Sequence, residues 1–241
     1  MGESTFVIVK TGSAPDEVRD RRGDFEDWIR ARASLPPDAW TVVDVAAGET
    51  LPEVAAVAAV VVTGSAAFVS EQEPWSVAAG DWLRGAVDRG VPVLGICYGH
   101  QLLAQALGGR VGPNPRGREI GTVCVDLAPA VEAGDALLGG LPPRVVVQAT
   151  HVESVLELPE GAVRLGSNDA DENHAFSYGA NAWGVQFHPE FDADVMRGYV
   201  AARAEILRDE GLDPDALVAA TRDSDHGTAV LRRFAEIARG G

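Results

Sequence analysis

Two short runs, residues 57–62 and 91–96, contain no charged or polar side chain, and they constrain the fold more than any other feature of this 241-residue chain. A half-exposed strand alternates polar with apolar residues, whereas a strand apolar on both faces belongs inside a sheet covered on both sides. The first run ends at Thr63-Gly64-Ser65. Residues 75–88 then place Trp75, Val77, Trp82, Leu83 and Val87 at helical spacing, and Gly90 stops them. After the second run, residues 99–107 read as a helix closed by Gly108-Gly109. Strand, helix, strand, helix is the signature of an α/β chain with a doubly wound, mostly parallel central sheet and helices on both faces.

The flanks extend this pattern. Residues 5–10 and 41–45 read as strands around a helix-forming stretch at 15–33. Downstream, residues 122–127, 144–149, 163–167, 174–178 and 182–187 are strand-like with short turns between them, some of them antiparallel additions to the sheet. Residues 194–208 and 214–239 have helical spacing. No linker or low-complexity stretch divides the chain, so it reads as a single domain over residues 1–241. Its core spans about residues 5–191, and a helical extension over about 192–241 is expected to fill out that core without chemistry of its own.

Composition excludes several functions. With 20 Lys+Arg against 36 Asp+Glu, the net charge of −16 repels a phosphate backbone, so no nucleic-acid partner is expected. Charges and glycines interrupt every apolar run well before membrane-spanning length, and Met1-Gly2-Glu3-Ser4-Thr5 carries no targeting pattern; the expected location is the cytoplasm. The two cysteines, Cys97 and Cys124, stand apart from each other and from any metal-ligand spacing. Neither a disulfide framework nor a metal site is expected.

One of those cysteines lies where chemistry is done. Gly95-Ile96-Cys97-Tyr98-Gly99-His100-Gln101 places Cys97 between glycines two positions away on either side, after a buried strand and before a helix. That is a nucleophile elbow: a sharp turn forces the nucleophile into strained backbone geometry, and Gly95 and Gly99 let the turn close. The helix N-terminus then favours a thiolate, and the Tyr98 N–H can face a developing oxyanion. Alone, such a cysteine can equally be a small buried hydrophobe.

A second segment, Gln186-Phe187-His188-Pro189-Glu190, decides between these readings. A cysteine that cleaves an amide needs an imidazole to carry protons and an acceptor to hold that imidazole's tautomer. His188 closes a strand and Glu190 follows two residues later, supplying both groups in one stiffened turn.

Together these segments resemble the two signature segments of the class I glutamine amidotransferases, which share a flavodoxin-like fold. The resemblance is closest to the glutaminase domain of GMP synthase and its stand-alone relatives. Thr63-Gly64-Ser65, Arg118-Glu119-Ile120-Gly121 and Thr150-His151-Val152-Glu153-Ser154-Val155 extend it over about residues 6–191. It implies Cys97 as nucleophile, His188 as base and acid, Glu190 as orienter, and the backbone at Gly64 and Tyr98 as oxyanion hole. It further implies that Ser65, Gln101 and the turn Thr150, His151, Val152 and Glu153 border the substrate, the turn mainly through backbone atoms. His100, His174 and His226 are expected to be structural or exposed, and Arg116 to Arg118 a solvated loop.

The implied reaction hydrolyses the side-chain amide of glutamine through a γ-glutamyl thioester, releasing ammonia and glutamate with no metal or organic cofactor. Because the chain carries no Gly-rich phosphate loop, a separate synthetase subunit is the expected acceptor of the ammonia. A γ-glutamyl peptidase or amide hydrolase would use the same three residues on a larger leaving amine. A regulatory pseudoenzyme, or another cysteine-elbow family with a different acid partner, would not require the His188-Pro189-Glu190 turn.

Overall fold

The computed structural model describes residues 5–34, 36 and 39–240; the absence of a leader expected at Met1 to Ser4 concerns residues outside these. The central layer is a nine-stranded sheet in the order β2-β1-β3-β4-β11-β10-β9-β6-β7. Its parallel half contains β1 (Thr5–Lys10), β2 (Trp40–Asp44), β3 (Val57–Val62), β4 (Val93–Ile96) and β11 (Ala182–Val185). The other half, β6 (Glu119–Leu127), β7 (Arg144–His151), β9 (Ala162–Ser167) and β10 (Ala175–Tyr178), is antiparallel throughout.

Alternation sorts the parallel strands between two apolar layers. Val60 and Val62 of β3 face α3 (Pro74–Asp88) and α4 (Tyr98–Ala106), where they pack with Leu83, Leu102 and Leu103. Ala59 and Val61 face the opposite way, toward α2 (Phe25–Arg32) and α9 (His226–Gly240), with Ile29, Leu231 and Phe234. Each strand is therefore buried on both sides, as its unbroken apolar run requires. A third cluster joins α1 (Asp16–Arg22), α2 and α6 (Ala193–Ala202) through Val18, Phe25, Trp28, Phe191, Met196 and Tyr199, and it stands over the carboxyl end of the parallel strands. Helix α9 packs Val230, Leu231 and Phe234 into the core, whereas α6 of the same extension lies over the candidate site instead of merely filling out the core. Beyond α6 lie α7 (Ala204–Asp209) and α8 (Pro214–Ala220). The short α5 is Pro129–Glu132. No helix among the described residues is long and apolar enough to cross a membrane.

The structure departs from the sequence expectations at several points. The helical stretches at 194–208 and 214–239 are each two helices, broken at Arg203 and at residues 221–225. The helical stretch at 15–33 is two helices, because Asp24 starts the second with a capping box to Asp27. Lys10 grips both Asp24 (2.9 Å) and Glu26 (2.7 Å), which ties this break to the end of β1. A second, two-stranded sheet pairs β5 (Arg110–Pro113) with β8 (Glu153–Glu157). Strand β5 escapes the sequence pattern because Gly112 and Pro113 look like loop. The turn expected at 150–153 is mostly strand: β7 runs through His151, β8 begins at Glu153, and only Val152 bends.

The backbone is closely packed at the start of α4. A Cβ on Gly99 would meet the Val62 carbonyl oxygen at 2.5 Å, and one on Gly95 would meet that of Gly99 at 2.4 Å. Gly99→Ala is therefore expected to lower unfolding stability by about 1–3 kcal/mol. In the open middle of α3, where a Cβ at Gly85 meets nothing within 4 Å, Gly85→Ala should instead raise it by about 0.5–1 kcal/mol. Urea unfolding of the two variants beside the parent chain measures both.

Candidate active site

Cys97 sits between β4 and α4 with φ 52° and ψ −103°, a conformation that costs a non-glycine residue roughly 1–3 kcal/mol. Three hydrogen bonds hold it there. Its N–H donates to Val185 O of β11 (2.9 Å), Gln101 N–H donates to its carbonyl (3.1 Å), and Gly99 N–H donates to Thr63 O beyond β3 (3.1 Å). Its thiol is 6% exposed and points toward Thr150 O at 3.7 Å.

The peptide joining Thr63 to Gly64 is pinned by its carbonyl, which accepts from Gly99 N–H (3.1 Å) and from the Thr11 hydroxyl (3.0 Å). Because the peptide is planar and trans, its N–H points the opposite way. Among the described residues, the amides of Gly64 and Tyr98 donate to no protein acceptor. Gly64 also abuts the imidazole, since a Cβ there would meet His188 Cε1 at 2.9 Å.

His188 lies three residues past β11, in an isolated bridge to β7, with its N–H on Gln148 O at 2.8 Å. Its ring stacks on Phe191 (centroids 4.1 Å apart) and lies beside Phe25 (5.9 Å), both nearly parallel to it and 6.2 Å from each other, so the three rings form one cluster. Nδ1 meets Glu190 Oε1 at 2.7 Å, while Nε2 is buried with no hydrogen-bond partner. Burial works against charge on His188, but Glu190 and Cys97 overcome it and raise the imidazole's pKa. Burial likewise works against a thiolate, and the charge of His188 overcomes it and lowers the pKa of Cys97. The pair is thus biased toward thiolate and imidazolium. Cys97 and His188 border a common cavity of about 20 Å³.

That cavity opens into a cleft of about 230 Å³ that Ser65, Cys97, Tyr98, Gln101, Thr150, His151, Val152 and Glu153 all border. Two expectations about this wall change. Gln101 spends both amide hydrogens inside the protein, on Glu153 O (2.8 Å) and Gln186 Oε1 (2.9 Å), so only its carbonyl oxygen remains for a ligand. The carbonyls of Val152 and Glu153 are also taken, by Asn114 N–H and by Gln101 and His151. His151 is built into a network: Nδ1 faces the carbonyl of Glu153 (2.9 Å), and Nε2 faces Glu119 Oε2 (2.9 Å). Both neighbours accept only, so the ring donates from both nitrogens. Despite burial, Glu119 raises its pKa to match, and the resulting cation also favours the Cys97 thiolate.

His174 Nε2 reaches the same Glu119 oxygen at 2.8 Å. Glu119, His151 and His174 are the one group among the described residues whose donor atoms, all within 4.8 Å of one another, have the makings of a metal site. They already bond to each other, and Glu119 accepts from Asn168 as well. His100 is fully buried beside Phe176, where burial drives its pKa down to about 3. His226 accepts at Nδ1 from Val146 N–H.

Four residues of the site have no counterpart in the sequence motifs. Phe191 stacks on the imidazole and Phe25 lies beside it. Tyr199 and Arg203, from α6 and the junction after it, border the cavity beside Cys97. Arg118 borders the cleft but is bound by Glu210 through two bonds of 2.7 and 2.9 Å.

The sequence profile described as glutamine amidotransferase class-I matches residues 49–204, which include the elbow, the imidazole and its carboxylate. The chain belongs to that family. Among curated relatives of this amidotransferase chain, a γ-glutamyl peptidase 5 of Arabidopsis thaliana is 32% identical over 137 residues, covering 56% of this chain and 55% of that protein. One of the subunits of a glutamine-hydrolyzing GMP synthase of Haloarcula marismortui is 44% identical over 105 residues, 43% of this chain and 53% of that one. The chain thus spans about half the length of these relatives. The solved structure of a glutamine amidotransferase from Thermotoga maritima covers both chains completely, with a TM-score of 0.78 at 24% identity, and shows the same fold.

In a Cys124→Ser background, iodoacetamide should alkylate Cys97 with a pH midpoint below the ordinary thiol value of about 8.5. His188→Gln leaves burial unopposed by the imidazolium, so the midpoint should move up past that value.

Proposed function

We propose that the chain hydrolyses the side-chain amide of glutamine and of related γ-glutamyl amides through a thioester on Cys97. The observation that carries this reading is the combination of a buried, strained thiol and a free imidazole Nε2 on one cavity. The Cys97 thiolate attacks the carboxamide carbon, and the developing oxyanion is met by the unengaged amides of Gly64 and Tyr98. His188 passes its Nε2 proton to the departing nitrogen as the C–N bond breaks. It then takes a proton from water, whose oxygen attacks the thioester; the C–S bond breaks, glutamate leaves and the thiolate is restored. Glu190 holds Nδ1 throughout and stabilises the imidazolium.

The protein supplies every group in this scheme, so no metal or organic cofactor takes part. With glutamine the leaving amine is ammonia, and a synthetase on a separate chain would receive it; relatives named as subunits of GMP synthase support that partner. With a γ-glutamyl peptide the leaving amine is an amino acid or peptide, a reading supported by the relative named γ-glutamyl peptidase.

Cys97→Ser should abolish both glutamate release and the γ-glutamyl adduct that mass spectrometry detects on the parent enzyme. Glu190→Gln should keep the thiol but lower kcat by about a hundredfold or more. Full turnover of glutamine and γ-glutamyl amides by Cys97→Ser would rule the scheme out.

A further inference from the structure

Arg203 is the least satisfied cation near the thiol. It ends α6 and begins α7, and its N–H bonds to Tyr199 O (3.2 Å) and Val200 O (3.3 Å) fix the base of the side chain. The guanidinium carbon lies 4.7 Å from the centre of the Tyr199 ring, a cation–π contact that sets its direction. Nη1 is nonetheless buried without a hydrogen-bond partner, and the guanidinium makes no ion pair among the described residues. Acidic groups outnumber basic ones in this chain by 36 to 20, so partners for a cation are abundant elsewhere. Arg203 is part-buried, and a cation held partly away from water without a counter-ion carries a cost that is lifted when an anion arrives. The hydroxyl of Tyr199 is also buried and unpartnered, and burial raises its pKa, so it stays protonated and able to donate.

Both donors border the small cavity that holds Cys97 and His188. Gln101 and Glu153 border the larger cleft but not this cavity, whereas Arg203 borders both. The carboxylate of Glu153 suits the ammonium of a γ-glutamyl head, which places that head at the far end of the cleft. The leaving nitrogen must lie against His188, on the side where Arg203 and Tyr199 wait. Ammonia would leave these two donors unused, but an amino acid brings a carboxylate two bonds from its nitrogen.

We propose that Arg203 and the Tyr199 hydroxyl form a subsite for the carboxylate of the leaving amine. The preferred substrates are then γ-glutamyl amino acids with a free carboxylate next to the scissile amide. This rests on the reading that Cys97 cleaves γ-glutamyl amides and selects among their leaving groups.

The test compares kcat/KM for γ-glutamylglycine, γ-glutamylglycinamide and glutamine in the parent enzyme, Arg203→Met and Arg203→Lys. The parent should favour γ-glutamylglycine over its amide by about tenfold or more, as expected of a charge-assisted hydrogen bond. Arg203→Met should collapse that ratio toward one, and its loss on γ-glutamylglycine should exceed its loss on glutamine by a similar factor. Arg203→Lys should restore part of the ratio. An equal loss on all three substrates would assign Arg203 to the glutamyl head or to packing and overturn the subsite, as would an unchanged ratio in Arg203→Met. Turnover of glutamine with neither dipeptide cleaved would sink the subsite while the hydrolase reading stands; no turnover of any substrate by the parent enzyme would sink both.

Discussion

The contact between the backbone of α4 and the end of β3 organises everything around the thiol. Gly99 N–H reaches Thr63 O at 3.1 Å, and no side chain fits between them. Bringing a helix start this close to a neighbouring strand leaves one residue, Cys97, to make the turn, so it takes the positive φ that other residues avoid. The same bond pins the peptide preceding Gly64 and leaves its N–H pointing away. Strain at the cysteine and a free amide beside it are two outcomes of one packing decision. β11 runs alongside β4 and holds Cys97 N–H through Val185 O, so the segment that carries the imidazole is anchored to the elbow itself.

Electrostatics then decides whether a buried thiol is inert or reactive. Burial alone would keep Cys97 protonated, and the surroundings reverse that by concentrating positive charge. His188 is held cationic by a Glu190 that is itself wholly buried, and His151 by Glu119. The chain as a whole carries a net charge of −16, yet around the sulfur the imidazoles of His188 and His151 outweigh the opposing carboxylate of Glu190. Net charge describes the surface and its solubility; the local field comes from a handful of oriented groups in a low-dielectric interior.

How far the sequence can be read follows from the range of the interactions involved. The parallel strands and the elbow announce themselves locally, through unbroken apolar runs and the spacing of Gly95, Cys97 and Gly99, because those features answer to neighbours a few residues away. The paired imidazole and carboxylate at 188 and 190 are legible for the same reason. Strand β8 is hidden because its start, Glu153 and Ser154, is polar and its partner β5 ends in Gly112 and Pro113; only their mutual pairing makes them strands. The packing of Phe25 beside the imidazole joins residues more than 160 positions apart, and no local pattern marks it. The commitment of the Gln101 amide to Glu153 and Gln186 is equally invisible, since the side chain alone looks free to bind a ligand.

Arg203 shows where such long-range features gather. The thiol, the two free amides and the imidazole all come from the alternating strands and the turns that follow them. The wall opposite is built from Ser13, Phe25, Tyr199 and Arg203, which lie on an N-terminal loop, on α2 and on the helical cap. Ser13, Tyr199 and Arg203 take no part in the elbow's backbone bonds, whereas Phe25 also packs beside the His188 ring. The proposed acyl transfer and the proposed choice of leaving group thus draw on separate layers of one structure. On the proposed reading a single side chain at the end of α6 alters the second and keeps the first, provided it leaves the stack of His188 on Phe191 in place.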